Sequence, residues 1–402
     1  MPRTHLFLAM GNGAFGEAVL GLRLAEALHA RGDRILFLAP SSLSVVLKDA
    51  PFRVGLTDAI ATRVDLAVLD LLAAERCDDL VLVDLASVFL SLSLHGRAAT
   101  FLRAMPVPVL ALDVWNLPAT DLVWDALGAR WDLPREALAV ERRLVPVPFV
   151  APDVAGGYDA LPAGARVDRT KARARLGLAD EDRLLITTTA TWQRPRAQPD
   201  AVSAEAAAML PRVLFDHLAT LGPRVRVLHV GPEAFGATAL GDRYHWQAPV
   251  PAPRFAEFLA AGDLLLSLNL SATTVGAAIA NQLPVVIATN SFAGTPDEIA
   301  AALPSPPSPE VRRWLALKPS HQRFRVWPLG LHDFLGPVFA GNPYCATFAS
   351  AEVLDLPGLR QTCAQLLFEP AVADAQRQHQ QAYARQVRAL PSPADAFDRV
   401  RS

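Results

Sequence analysis

Short apolar runs alternate with longer amphipathic stretches through the first 150 positions. His5–Met10 is apolar, one strand in length, and stops at a glycine-rich turn. Glu17–Ala30 carries leucine and alanine at helical spacing and ends just before Gly32, a helix-stop signal. Arg34–Ala39, Leu80–Asp84 and Val107–Asp113 repeat the strand signature at spacings that leave room for a helix between them. Such alternation predicts parallel strands with helices on both faces. Arg143–Pro152 then leads into Pro152–Ala165, rich in Gly, Pro and Ala, which predicts an interdomain linker.

Beyond that stretch the pattern restarts. Arg169–Leu176 reads as a short basic helix ending at Gly177, Arg183–Thr188 as a new first strand, Ala204–Leu221 as a long helix and Val225–Val230 as the next strand. Phe255–Thr289 is the most informative segment: helix, buried strand, polar turn, helix, second buried strand. Pro296–Gln322 is proline-rich, Arg323–Pro328 predicts one more strand, and Leu356–Val400 is helical with many Gln and Arg. No fixed-period repeat is present, which excludes solenoids and propellers.

At 402 residues and 51% hydrophobic, the chain is long enough for two cored domains. A net charge of −2 gives no global attraction to nucleic acid or anionic lipid. Cys77, Cys345 and Cys363 are isolated, without a CxxC pair, and read as reduced thiols of a cytoplasmic protein. The N-terminus has no secretion pattern. The most apolar stretch, Leu80–Leu94, carries Asp84 and is shorter than the ~20 residues of a membrane span.

Two turns concentrate the chemistry. Gly11, Gly13 and Gly16 spell GxGxxG between a strand and a helix, the dinucleotide fingerprint. That fingerprint needs an acidic residue at the end of the second strand, and here the sequence is Leu38-Ala39-Pro40-Ser41-Ser42. A nicotinamide site is therefore disfavoured, and the loop Gly11, Asn12, Gly13, Phe15 and Gly16 is read as lying against a sugar or acceptor, or as a tight turn alone. Glu17, on the first helical turn, is a candidate general base if burial raises its pKa; a dipole-complementing acid is the alternative. Asp84 and Asp113 each end a predicted strand, where parallel sheets face their cleft. Asp113 is the substitute base, and Asp84 is read first as a helix cap. His95 is a weaker base candidate and reads first as a surface histidine.

In the second half, Ser271, Thr273 and Thr274 open a helix whose unpaired amides and positive dipole end suit an anion. N-capping by Ser271 is the plainer alternative. Thr187–Thr191 followed by Trp192 and Gln193 offers hydroxyls for phosphate oxygens and a flat indole face, or simply good strand residues. Arg194, Arg196, Arg323 and Arg325 could add positive charge nearby, although lone arginines mostly sit in solvent. Asn342-Pro343-Tyr344 reads as a turn.

Taken together these segments resemble the GT-B superfamily of nucleotide-sugar glycosyltransferases, over nearly the whole chain. GAFGEAVLGLRLAEALHARG resembles that family's Gly-His-x-x-Pro helix start, with Gly16 on the motif glycine and Glu17 where the family has histidine. HWQAPVPAPRFAEFLAAGDLLLS, from His245, resembles the strand, turn and helix framing the nucleotide base, which implies base contacts at Trp246 and Gln247. Ser271–Pro284 resembles the diphosphate-binding helix, and the C-terminal helices resemble the segment that crosses back to the first domain. Ala277 stands where a ribose-binding Glu often occurs.

The resemblance implies an α/β architecture of two facing Rossmann-like domains with an interdomain cleft. Residues 1–165 form the acceptor domain, 166–375 the nucleotide-sugar domain and 376–402 a helical tail packing back. It implies a glycosyltransferase of natural product biosynthesis moving a sugar from a nucleotide diphosphate sugar, UDP-linked or related, to a small-molecule acceptor. Glu17 and Asp113 are the catalytic candidates; Thr191, Trp192, Gln193, Trp246, Gln247, Ser271, Thr273 and Thr274 are the donor-binding ones. No Asp-x-Asp run stands at the carboxyl end of a predicted strand, so no metal or other cofactor is expected; the spaced glutamate pair of many retaining members is absent around Asn269–Ala277, which favours inversion. A homodimer is left open. The alternatives are a GT-B enzyme that is not a transferase, such as a nucleotide-sugar epimerase or phosphorylase, and a catalytically silent partner protein.

Overall fold

The computed structural model describes residues 2–11, 15–56, 60–126, 129–164, 167–198, 200–236, 238–324 and 331–402. Its first half is a parallel sheet built from β1 (Thr4–Leu8), β2 (Arg34–Ala39), β3 (Arg53–Leu56), β4 (Asp79–Leu82) and β5 (Val109–Leu112). A hairpin of β6 (Val123–Ala126) and β7 (Ala129–Asp132) intervenes, and β8 (Arg142–Val147) and β9 (Gly157–Asp159) complete the sheet in the order β3-β2-β1-β4-β5-β8-β9. The second sheet holds β10 (Arg183–Thr188), β11 (Val225–Val230), β12 (Tyr244–Gln247), β13 (Leu264–Ser267), β14 (Val285–Thr289) and β15 (Ala349–Glu352), ordered β12-β11-β10-β13-β14-β15. In each sheet the first strand lies between neighbours whose connections run in opposite directions. That is the switch point at which parallel sheets open a crevice beyond the carboxyl ends of their strands.

The helices that matter below are α1 (Phe15–Ala30), α2 (Leu85–Leu94), α3 (Ala201–Leu218), α4 (Ala252–Ala261), α5 (Thr273–Ala280), α6 (Leu356–Phe368), α7 (Pro370–Arg388) and α8 (Pro393–Arg401). Side chains along the second sheet alternate between two cores, as a strand buried on both faces requires. Leu184, Ile186, Leu265, Val285 and Ile287 join an apolar core that continues into the first sheet. Leu185, Leu264, Leu266, Val286 and Ala288 pack on the opposite side with α3 and α6. Among the described residues no single helix is long and apolar enough to cross a membrane; α2 and the Ala98–Ala104 helix together approach that length but bend by 116°.

The C-terminal helices tie the two halves together. On α7, the Gln376 amide brackets the backbone of Val285, accepting from its N–H at 2.8 Å and donating to its carbonyl at 3.0 Å. The Gln380 side chain donates to the carbonyls of Leu283 and Thr347. Further along the same helix, Tyr383 donates to the Pro148 carbonyl at 2.6 Å and Arg388 pairs with Asp159 at 2.6 Å, both in the first half.

Helix α8 then docks at the amino ends of β1 and β4. Arg401 grips the buried Asp79 with distances of 2.7 and 2.9 Å, and Asp79 in turn faces His5 at 3.1 Å. Arg31 bridges Asp33 and Asp398, each at 2.7 Å. Removing one partner of a buried pair strands the other, so Arg401→Ala is expected to cost about 3 kcal/mol in urea unfolding. Hydrogen bonds and the facing cations outweigh burial and hold Asp33 and Asp79 below the usual aspartate range. Their contribution is therefore complete above about pH 4 and is lost as pH falls through the depressed values.

Two expectations are corrected. Pro152–Ala165 is not only a linker, because β9 lies inside it and pairs in parallel with β8 through Val145–Gly157 and Val147–Asp159. The strand expected at Arg323–Pro328 is reduced to an isolated antiparallel bridge from Phe324 to Asn290; Arg325–Pro328 lies outside the described residues.

Candidate active site

Three carboxyl groups gather at the carboxyl ends of adjacent strands in the first sheet. Glu17 sits on the first turn of α1, which leaves β1 through the glycine turn. Asp84 follows β4 and caps α2, accepting the Ala86 N–H at 3.2 Å, and it is buried. Asp113 follows β5 and is buried, with both oxygens 3.0 Å from the Leu117 N–H and Arg143 at 3.9 Å.

Burial, with the Asp84 charge adding to it, pushes the Glu17 carboxyl up to about 7. Asp84 is pushed up to about 6, again by burial and with Asp113 adding, against hydrogen bonds from Ser87 and the Ala86 amide. Burial raises Asp113 as well, opposed by its backbone amides and by Arg143. Close carboxylates cannot all ionise together, so Glu17 and Asp84 titrate as a pair near neutrality. Asp113 has its oxygens committed to backbone amides and acts on Asp84 through its charge. Gly11 runs beside α2, where a Cβ would stand 3.8 Å from the Ser87 hydroxyl; Asn12 and Gly13 lie outside the described residues.

The second sheet presents a helix start. After β13 the chain turns through Asn269, whose side-chain oxygen accepts from both the N–H and the hydroxyl of Ser271 at 3.0 Å. Ser271 therefore does not cap the helix, the plainer alternative to its anion-binding role. The N-cap of α5 is Ala272, which offers no side-chain acceptor, because the Asx turn at Asn269 has already taken up the serine. The first helical amides, those of Thr273 and Thr274, precede any intrahelical bond. Thr274 Oγ1 lies 3.1 Å from Thr188 Oγ1 at the end of β10. Below the turn, the buried Tyr344 hydroxyl donates to the Leu270 carbonyl at 2.7 Å and holds the turn's base.

The two helix starts face each other directly. A Cβ on Gly16 would stand 3.2 Å from Thr273 Cγ2, tighter than ordinary contact, so a side chain there would have to displace the threonine methyl by a few tenths of an ångström. Glu17 follows Gly16 on the same first turn of α1, and Phe15 before it packs against the apolar core.

The remaining donor-side candidates surround β10 and β11. Thr191, Trp192 and Gln193 form a 3-10 turn, with the Gln193 side chain accepting the Ala190 N–H at 2.7 Å and Trp192 packed against the α3-side core. Trp246 is 44% exposed, and its indole N–H donates to the Gly231 carbonyl at 3.0 Å. The Gln247 carbonyl accepts the Gly231 N–H at 3.0 Å. A cavity of about 460 Å³ opens against α3, lined by Thr189, Gln193, Arg194, Phe235 and Leu268 among others; of the donor-side candidates only Gln193 lines it. His95 is an exposed helix-end residue.

Sequence reasoning underrated Asp84, whose strand-end position was visible but whose coupling to Glu17 was not. Thr189 falls in the hydroxyl run Thr187–Thr191 that the sequence singled out, but its partner His229 and the hydrogen bond of Tyr344 to the turn's base were missed, since only scattered polar residues in apolar surroundings gave any signal.

No curated protein matches the sequence. Among solved structures, the chain is similar to the spinosyn rhamnosyltransferase SpnG complexed with thymidine diphosphate, with 17% identity, a TM-score of 0.58, and 99% of this chain and 100% of that one covered. It is also similar to the glycosyltransferase SnogD from Streptomyces nogalater (14% identity, TM-score 0.53, 100% and 99% covered). The calicheamicin glycosyltransferase CalG4 is a third, at 14% identity and TM-score 0.52, with 100% and 98% covered. These likenesses span both sheets and establish the two-domain GT-B fold. A family model described as a family of unknown function, DUF6365, matches residues 24–402, and the chain belongs to that family.

Proposed function

We propose that the protein is a glycosyltransferase that moves a sugar from a nucleotide diphosphate sugar to a small-molecule acceptor. The observation that carries this reading is the close approach of Gly16 to Thr273, which brings the helix turn bearing a near-neutral carboxyl next to an uncapped helix start. The α5 amides and dipole are suited to a diphosphate, and preorganised donors of this kind stabilise charge as a leaving group departs. The acceptor oxygen or nitrogen bonds to the anomeric carbon while that carbon's bond to the diphosphate oxygen breaks. The electron pair leaves with the diphosphate, and the acceptor's proton passes to Glu17. Trp246 and Gln247 are assigned to the base, and Thr191–Gln193 to the nucleotide's edge. Displacement from the acceptor side inverts the anomeric centre.

The likeness in fold to enzymes whose names include rhamnosyltransferase and calicheamicin glycosyltransferase supports a natural-product acceptor. A thermal-shift panel of UDP, TDP, GDP and ADP tests the reading. One nucleotide at a hundredfold excess over its Kd should add about 2.7 kcal/mol of stability. Its sugar conjugate should then support transfer that EDTA leaves unchanged. No shift with any of the four would remove the basis of the proposal.

A further inference from the structure

A chain of hydrogen bonds runs from the 231–236 loop through buried polar groups to the cavity beside the end of β10. The Phe235 N–H meets the Tyr244 hydroxyl oxygen at 3.0 Å, and that hydroxyl lies 2.8 Å from His229 Nδ1. His229 Nε2 is 2.7 Å from Thr189 Oγ1. Thr189 and Phe235 both line the 460 Å³ cavity. The imidazole is fully buried and stacked on Phe235 with ring centroids 3.8 Å apart. Gly231 closes the back of the arrangement, since a side chain there would run into both the Thr189 hydroxyl and the His229 ring.

The chain has a direction. A backbone N–H only donates, so the Tyr244 oxygen accepts from Phe235. The phenolic proton then needs an acceptor of its own, and Nδ1 is the one within reach; leaving a half-buried hydroxyl proton unpaired is costly. With Nδ1 accepting, a neutral imidazole carries its proton on Nε2 and donates it to Thr189. Burial lowers His229 to about 3, so the ring is neutral at any working pH. The Thr189 oxygen is thereby an acceptor toward His229, and its own proton is directed away from the ring.

We infer that Thr189 is a ligand-binding residue whose hydroxyl, oriented by His229 and Tyr244, donates a hydrogen bond to a proton-free ligand oxygen in the cavity beside β10. The chemistry recognised is a phosphoryl or base-carbonyl oxygen, and for the ligand's identity the inference rests on the nucleotide reading above. Tyr244 and His229 are positioning residues, and neither touches the ligand. The arrangement also couples ligand binding to the 231–236 loop, because the Phe235 amide is the first link.

The test has a ligand-free arm and a binding arm. A long-range proton–nitrogen correlation spectrum of histidine-labelled protein should show His229 as the Nε2–H tautomer; the Nδ1–H form overturns the inference alone. In calorimetric titrations with the best of UDP, TDP, GDP and ADP, Thr189→Val should weaken binding ~10-fold. Thr189→Ser, which keeps the hydroxyl, should stay within about twofold, and Tyr244→Phe should lose ~3-fold, as expected for one hydrogen bond whose orientation is relaxed. The nucleoside of that best nucleotide and inorganic pyrophosphate, titrated separately, identify which half supplies the oxygen, since only that fragment should lose affinity in Thr189→Val. Undiminished nucleotide affinity in Thr189→Val overturns the assignment and leaves the nucleotide reading intact. Failure of wild-type protein to bind any of the four nucleotides overturns both.

Discussion

Glu17→Gln is expected to lower sugar transfer by about 10²–10⁴-fold while leaving nucleotide binding in place, the range associated with a positioned general base. The amide keeps the shape of the side chain and removes only its ability to take a proton. Because a base works in its ionised form, kcat/KM for the wild type should rise with pH through the region of 7 and level off above it. Asp84→Asn deletes a negative charge that raises Glu17, so the acidic limb should move to lower pH. A structural role for Glu17 predicts the opposite in stability. A carboxyl whose folded pKa is raised destabilises the fold at pH values above its unfolded pKa, because ionising it there opposes burial. Glu17→Gln should therefore unfold no earlier than wild type at pH 8, and loss of transfer with unchanged or higher stability marks a functional group. Wild-type rates in the glutamine variant, across acceptors, would sink the assignment.

The parts of the fold that were legible in the sequence are those where burial on both faces leaves a continuous apolar run. Arg183–Thr188 and Val225–Val230 stand in the structure within the bounds their composition implies. Strand β9 was not legible. It is three residues long in a Gly- and Pro-rich stretch, and its pairing with β8 is set by tertiary position rather than by its own pattern. The same limit applies at the site. Serine before a helix is the usual sign of a cap, yet Asn269 two residues earlier competes for Ser271 and moves the helix start onto Ala272. Asp84 was visible as a strand-end acid with a capping role, which it has, but the charge coupling that lifts Glu17 depends on strand order. The β1–β4 adjacency puts them side by side although sixty-odd positions separate them in the chain. The Thr189–His229–Tyr244 chain is a still longer-range property, because only the parallel register of β10, β11 and β12 brings the three together.

Ala272→Asp is expected to make the protein more stable and a poorer nucleotide binder. Asp84, Asp168, Asp200, Thr295, Ser308 and Ser392 each cap their helices by accepting a backbone amide with the side chain. Ala272 has the extended backbone of a cap (φ −66°, ψ 132°) and nothing to accept with. Aspartate there can take the Thr274 amide and complement the dipole, a gain of about 0.5–1 kcal/mol. That same amide is the one assigned to the diphosphate, and the new carboxylate adds like charge beside it. Loss of one charge-assisted hydrogen bond plus this repulsion should weaken nucleoside diphosphate binding by about 100-fold. Ala272→Ser separates the two effects, since it occupies the amide without the charge and should cost only about tenfold. Melting temperature and calorimetric affinity, measured on the same preparations, should move in opposite directions in both variants. If the aspartate variant gains stability and binds nucleotide as tightly as wild type, the α5 amides are not where the diphosphate sits.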